Sequence, residues 1–475
     1  MTGAAAPTAA PRRPPGPRGG FLLGSLPDFA GDILGFFERA VAEHGDVIRV
    51  RLAVGREVIL LNDPRSIETV LLTQRSNFIK HTFFWRHVTA IFGRGLLTSE
   101  GDFWLRQRRL AAPAFHPDRI AAYGAVMADR AARLDTTWAD GDIRDVHQDF
   151  MRVTMEIVAK TLFDAELEDD LDEVGRAFDV VVREIAARFR RPFKVPDAFP
   201  TPGNRRYRRG VARLDRLVSR ILAERRGDPT DRGDLLSMLL AARDEDGHGM
   251  PETQVRDEVV TLFLAGHETT AIALSWIFFL LARHPAADAR LRAELAETIG
   301  DRLPTVADLP RLRWTEAVVK ESLRVYPPAY VIGREALADC EIAGYPIRAR
   351  TTVYFSPWVL HRDPRWFDRP REFLPERWFD GRAANLPKYV YIPFGGGPRV
   401  CIGERFAMME ATLVLATIAR RWTLARPDES PVTPFPSITL RPEGGMRMRV
   451  ARRVERPLPA PTLHRQVLDG GLPSG

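Results

Sequence analysis

The segment Phe394-Gly395-Gly396-Gly397-Pro398-Arg399-Val400-Cys401-Ile402-Gly403 decides how the rest of the chain is read. Three consecutive glycines let a backbone approach a bulky group closely, because no Cβ stands in the way. A regular helical pattern, Glu404 to Arg421, follows at once. Cys401 therefore lies at a helix N-terminus, where free N–H groups and the helix dipole favour the thiolate. A thiolate is the form of cysteine that ligates a metal. On these residues alone two readings stand: a buried structural thiol, or a metal ligand.

Working outward, the longest helical pattern runs from 251 to 283. Pro251 suits a first turn, and the Pro285 ring disfavours helix at His284. A helix of this length is a rod of roughly 48 Å, enough to cross a whole domain. In its middle sits Ala265-Gly266-His267-Glu268-Thr269-Thr270. Glycine in a helix interior costs about 1 kcal/mol relative to Ala, and an acid with two β-branched hydroxyl residues makes a poor core helix. The segment reads either as a polar kink at a helix crossing or as a groove at which Glu268 and Thr269 point.

Further helical segments are expected near 100–112, 118–138, 143–163, 171–189 and 205–226. Val47–Leu52 and Glu57–Leu61 flank Gly55 and read as a hairpin. Residues 191–204 carry four prolines and read as a loop. Short strands return after about 420. The expectation is a mainly α chain: a flexible Pro-rich lead over 1–24, one domain over 25–455 with a small β-rich lobe, and a loose tail over 456–475.

Composition narrows the function. The 475 residues are 45% hydrophobic and 28% charged, which excludes disorder or coiled coil for the whole chain. The net charge of +7 is spread along the chain, which argues against nucleic acid as a partner. Two cysteines, Cys340 and Cys401, cannot make a disulfide scaffold or hold an iron–sulfur cluster. The first twenty residues hold no apolar signal core, and Val259–Ala282 is interrupted by polar residues. A cytoplasmic protein without a membrane anchor is expected.

The cysteine segment resembles the ligand loop of the cytochrome P450 family, Phe-x-x-Gly-x-Arg-x-Cys-x-Gly, at every specified position. The residues 265–270 look like that family's oxygen-activation motif. Glu321-Ser322-Leu323-Arg324 matches its Glu-x-x-Arg helix, Pro375-Glu376-Arg377-Trp378 the meander after it, and Trp104-Leu105-Arg106-Gln107-Arg108 its Trp-x-x-x-Arg helix. The likeness spans about 25 to 450. It implies the P450 fold, with haem between the long central helix and the cysteine-ligand helix. Cys401 would be the proximal thiolate on the iron of haem b. Trp104, Arg108, Arg399 and Arg334 would hold the propionates through indole and guanidinium donors, although Arg334 also reads as a surface arginine. Phe394, Gly403 and Ala265 would border the haem. Glu321, Arg324 and Arg377 would form a structural triad. Glu268 and Thr269 would be catalytic, relaying protons for O2 activation, with His267 facing away as packing. Cys340 has no motif around it.

The resemblance also implies a monooxygenase placing one oxygen atom from O2 into a hydrophobic small molecule. Peroxide-driven oxygenation, non-redox isomerisation and a non-catalytic haem sensor are the alternatives; Glu268-Thr269 speaks against the first two. A substrate pocket is expected from Phe83, Phe84, Val88 and Phe92, with Tyr330, Val331, Ile438, Ala265 and Thr269. Residues 95–116 look like the branch containing fatty-acid hydroxylases and bacterial terpenoid oxygenases, so a terpenoid or fatty-acid-like substrate is expected. Electrons would come from NAD(P)H through a ferredoxin and ferredoxin reductase. Arg106, Arg109 and Arg405 would form a basic docking face, or be merely solvated. A monomer is expected.

Overall fold

The structure, a computed structural model, describes residues 13–453 except 53–55, 83–84, 168–170, 190–195, 197–198, 229, 244–246, 248 and 380, and omits the side chains of 87–90 and 189. Helices α1 (Leu26–Gly31) and α2 (Ile33–His44) lead into a hairpin, β1 (Val47–Arg51) and β2 (Glu57–Leu61), then α3 (Pro64–Glu68), β3 (Phe78–Ile79) and α4 (Trp85–Phe92). The helical body follows as α5 (Gly101–Ala111), α6 (Pro117–Thr136), β4 (Ile143–Asp145), α7 (Val146–Phe163), α8 (Leu171–Phe189) and α9 (Pro202–Gly227). It continues through α10 (Leu235–Ala241), α11 (Glu252–Arg283), α12 (Pro285–Thr298) and α13 (Arg313–Val325). Then come β5 (Ile332–Ala336), β6 (Cys340–Ile342), β7 (Tyr345–Ile347), β8 (Thr352–Phe355) and α14 (Pro357–Leu360). The chain closes with α15 (Glu404–Ala419), β9 (Trp422–Ala425), β10 (Pro434–Pro436), β11 (Leu440–Pro442) and β12 (Arg447–Arg452).

The small lobe grows from the hairpin. β1 and β2 pair antiparallel with Val47 opposite Leu61 and Arg51 opposite Glu57. β8 adds to β2 in parallel, and β5 and β3 extend the sheet antiparallel. β2 is buried at four successive positions, Val58 to Leu61, because both of its faces are covered. Residues 13–24, expected within a flexible lead, instead lie against β1: Arg49 N donates to Pro15 O (2.7 Å), and Arg51 Nη2 to Gly20 O (2.9 Å). Residues 1–12 and the expected tail 456–475 lie outside the described residues.

The main core packs α6, α7, α8, α11 and α15 together. α11 is long and apolar enough to span a membrane, yet most of it is buried inside the protein, as a core helix is. It lies along α7, with Phe150 stacked on Phe278 at 5.2 Å and His147 Nδ1 3.0 Å from Ser275 Oγ. Boundaries shift where local bonds dictate. Residues 143–145, expected as helix, pair with β12, and α7 starts only after the Asp145 carboxylate accepts from His147 N (3.1 Å). α9 starts at Pro202, before the expected 205, because Thr201 Oγ1 accepts from Asn204 N (3.1 Å). α15 stops at Ala419, short of Arg421, where the chain leaves for β9 and its pairing with β12.

Candidate active site

One cavity of about 780 Å³ opens between α11 and the loop carrying Cys401. That loop doubles back so that Cys401 N donates to Phe394 O (3.0 Å). Gly397 has a positive φ of 66°, and a Cβ there would stand 2.2 Å from the Leu71 carbonyl oxygen, so no other residue fits. Cys401 presents its surface to the cavity, and Phe394 and Gly403 border it too. Burial pushes the thiol above its ordinary pKa; the Gly403 N–H opposes that first, Glu404 adds to it, and Arg108 and Lys80 oppose it. Helix α15 begins only at Glu404, and desolvation is the larger effect.

Beside Cys401 the cavity wall is cationic. Trp104 and Arg108, one turn apart on α5, both face it. Arg108 Nη1 donates to Val400 O (2.9 Å), and the Arg399 guanidinium lies 4.2 Å from the centre of the Trp104 ring. Arg399 donates to Ser99 O (2.8 Å) and pairs with Glu100, while its buried Nη1 has no partner among the described residues. Arg334 is buried rather than at the surface, and its Nη1 donates to Gly333 O (2.8 Å). Lys80, which the sequence reading missed, completes the group. Burial and then Arg334 and Arg399 push its amine down to about 7, against the opposing charges of Glu100 and Cys401. Cations drawn this far out of water and outnumbering their one carboxylate are costly unless an anion joins them. The arrangement fits the two propionates of a haem seated against Cys401.

Across the cavity stands the middle of α11. The helix runs unbroken through the polar segment, whose residues lie on different faces. Gly266 turns to α7, where a Cβ would stand 3.0 Å from Val158 Cγ2. Ala265 and Thr269 open to the cavity, and Thr269 Oγ1 donates to Ala265 O (2.9 Å). His267 faces away, fully buried, with Nδ1 2.7 Å from Phe263 O and its ring against Phe178 and Phe263. Glu268 is buried, not open to solvent. Its Oε1 accepts from Arg441 Nε (2.6 Å) and Thr439 Oγ1 (2.8 Å), and Arg441 Nη1 donates to Asp179 Oδ1 on α8 (2.7 Å). Nothing in the sequence pattern marks Arg441 or Asp179, because their partners come from other elements.

Of the expected pocket residues, Phe92, Tyr330, Val331 and Ile438 border the cavity. The Tyr330 hydroxyl is already spent, donating to Ser437 O (2.8 Å). Phe83 and Phe84 lie outside the described residues, as does the Val88 side chain. Phe178, Val181 and Val182 of α8 add apolar wall that the sequence reading did not anticipate. Glu321, Arg324 and Arg377 do meet. Arg324 donates to both Glu321 oxygens (2.9 and 2.8 Å) and to the carbonyls of His361, Pro370 and Glu372 (2.7, 2.6 and 2.7 Å). Arg377 Nε and Trp378 Nε1 also donate to Glu321 (3.0 and 2.9 Å). The set is fully buried and ties α13 to the segment ahead of the cysteine loop. Cys340 lies on β6, away from the cavity. Arg109 and Arg405 are exposed and Arg106 is half-buried.

The cytochrome P450 family profile matches residues 14–448. The chain is 38% identical to cyclooctatin synthase of Streptomyces melanosporofaciens, over 87% of this chain and 90% of the relative. It is 38% identical to cyclooctat-9-en-7-ol 5-monooxygenase of the same organism, over 82% and 84%. It is 34% identical to pentalenene oxygenase of Streptomyces avermitilis, over 88% and 92%.

Proposed function

The chain belongs to the cytochrome P450 family and is a haem-thiolate monooxygenase, and we propose that Cys401 is its iron ligand, Thr269 and Glu268 its proton relay, and a terpenoid its substrate. One observation carries the site assignment: Cys401 and a cluster of four cations, Arg334 buried and Lys80, Arg108 and Arg399 half-buried, share a cavity with Thr269 on the opposite wall. When bound, haem b supplies the centre at which O2 is activated, one atom passing to the substrate and the other leaving as water.

The residues divide the remaining work. Cys401 Sγ would be the soft anionic ligand of the haem iron. Lys80, Arg108, Arg334 and Arg399, with the Trp104 indole, would hold the two propionates by charge-assisted bonds. Forming water takes two protons, which must cross a largely apolar cavity. Thr269 Oγ1 faces that space and holds a water there. Glu268 hands protons towards it, and Arg441 and Thr439 fix the starting position of its carboxylate. Positioned proton transfer is worth roughly 10²–10⁴-fold. Phe92, Phe178, Val181, Val331 and Ile438 exclude bulk water and take an apolar molecule. The names of two relatives, one for an alkenol and one for pentalenene, support an apolar ring compound as that molecule.

Electrons come from a separate redox partner. We assign that role to a ferredoxin, reduced by NAD(P)H through its reductase, docking on the cytoplasmic enzyme at the face carrying Arg109 and Arg405. Such docking weakens as salt screens charge beyond about 8–10 Å. A reduction rate indifferent to ionic strength would remove the docking assignment. For the site, the experiment is the reduced CO complex of Cys401→Ala and Cys401→His. Both should lose the red-shifted thiolate band while keeping a helical far-UV spectrum, and persistence of that band would overturn the assignment.

A further inference from the structure

The cavity is bordered along one side by α4, and α4 is tied down at both ends. At its start, Arg86 Nη2 lies 2.6 and 2.9 Å from the Glu335 carboxylate oxygens on β5. Past its end, the chain turns through Gly93-Arg94-Gly95 and lies on the first turns of α11. Arg94 N donates to Asp257 Oδ2 (2.7 Å), and Leu96 N to Glu258 Oε2 (2.9 Å). Gln254 Nε2 donates both to Arg94 O (3.1 Å) and to Glu258 Oε1 (2.8 Å), and Arg256 Nη1 to Ile91 O (3.2 Å).

The turn can seat this closely only with glycine at its corners. Gly93 has φ 53°, and a Cβ on it would stand 2.1 Å from the Asp257 carboxylate. A Cβ on Gly95 would meet Thr261 Oγ1 at 2.1 Å and Asp257 O at 2.6 Å. The holding residues do not border the cavity, but Ile91, Phe92 and Leu96, which they hold, do. Arg256 extends the contact further. It pairs with Asp215 on α9 and with Asp257 Oδ1 (2.8 Å), so α9, α11 and the end of α4 share one guanidinium.

We propose that the Gly93–Gly95 turn is a clasp, that Gln254, Asp257 and Glu258 are positioning residues which keep 91–96 closed over the cavity, and that its release sets how fast a hydrophobic ligand passes in and out. The inference rests on the cavity being the substrate site of the proposed enzyme. Two carboxylates accept from two adjacent-turn amides, and charge-assisted bonds of this kind are stronger than the neutral bonds of an ordinary loop. Arg256 links the clasp to α9, so a displacement of α9 would draw its guanidinium away from Asp257.

The test uses the haem-loaded full chain, with 4-phenylimidazole as probe. Stopped-flow absorbance of the Soret band gives its association and dissociation rates, and hydrogen exchange reports the amides of 91–99. In Glu258→Ala, exchange at Leu96 and both probe rates should rise about tenfold, as expected for loss of one charge-assisted bond. The dissociation constant should stay within about twofold and the reduced CO spectrum should not move, since the cavity wall is untouched. Gly95→Ala should behave alike. Glu258→Gln keeps an oxygen for Leu96 N without the charge and should match the wild type at pH 6, where Glu258 is protonated, which a merely structural role would not require. Faster exchange with unchanged probe rates would overturn the gating role, and unchanged exchange would overturn the clasp itself. A wild type whose Soret band ignores the probe would instead count against the haem-site reading, and exchange alone would then decide whether the clasp exists.

Discussion

Glu268 is anchored by a buried cation, and that makes a measurable prediction. Arg441 and Glu268 side chains are only 9% and 5% exposed, and the same guanidinium holds Asp179, 21% exposed. Arg441→Leu removes the one cation and leaves two carboxylates without it. Breaking a buried pair in this way costs about 3–5 kcal/mol, mostly the penalty of the uncompensated charge. With a urea slope of about 4 kcal/mol/M for a chain this long, the unfolding midpoint should fall by about 1 M. Glu268→Gln keeps an acceptor for Thr439 and leaves Arg441 its bond to Asp179, so it should cost less, about 1–2 kcal/mol. In the double variant the orphaned Glu268 charge is gone. Its cost should fall short of the summed singles by about 2 kcal/mol, the size of coupling expected for residues in one network. The assay is urea unfolding of all four proteins at one pH, with turnover measured alongside. Both singles should slow product formation, because each loosens the carboxylate. Additivity within about 0.5 kcal/mol would show that the two side chains do not act together, and the reasoning would fail.

Three further expectations follow from the same geometry. Thr269→Ala exchanges one neutral hydrogen bond for a better helix former, so stability should change by less than about 1 kcal/mol; haem and substrate binding should stay intact while reducing equivalents leak to hydrogen peroxide, and wild-type coupling would sink the relay. Glu410 on α15 is fully buried, with the Thr270 hydroxyl as its one polar neighbour, and burial pushes its acid well above the usual range against that hydroxyl. Its folded pKa lies above its unfolded one, so ionisation erodes stability as pH rises past about 4.5, and Glu410→Met at pH 8 should raise stability by about 1 kcal/mol in urea unfolding; a loss of that size would contradict the account. Glu258 is pushed up to about 7 by burial, against the Leu96 N–H and Gln254 and with the help of Asp257. Asp257 is the charged group acting on it, and Arg256 pairs with Asp257 and leads on to Asp215 of α9. Ionisation strengthens its grip on Leu96, so probe dissociation should be faster at pH 6 than at pH 8 with a midpoint near 7, and Glu258→Gln should abolish that step.

The parts of the site legible in the sequence are those whose function lies in a short, rigid spacing. The Phe394–Gly403 loop works through glycines that must take left-handed or crowded positions and through a cysteine at a fixed offset from a helix. Trp104 and Arg108, like Glu321 and Arg324, share a helix face, so their spacing alone puts them together. Long helices were visible for the same reason: α8 runs over the same residues as the expected segment, and α11 starts one residue later and ends at the same Arg283. Short elements were not. β4 and the true start of α7 depend on β12, roughly three hundred residues away, and no local pattern announces such a partner.

The mainly helical fold around Cys401 was implied by the resemblance of its motifs to the P450 family, while in the sequence short spacings put Trp104 with Arg108 and Glu321 with Arg324. Local spacing suffices there, because each motif is a single turn, loop or helix whose geometry is set by its own residues. Only the tertiary structure decided the charge partners: Lys80 joining Arg334 and Arg399, Arg441 clamping Glu268, and Asp257 with Glu258 holding the Gly93–Gly95 turn. Each of these brings together charges from separate elements in a desolvated space, where pairing dominates the energy. A charged residue in a sequence carries no mark of which distant charge will neutralise it; packing of the apolar core makes that choice.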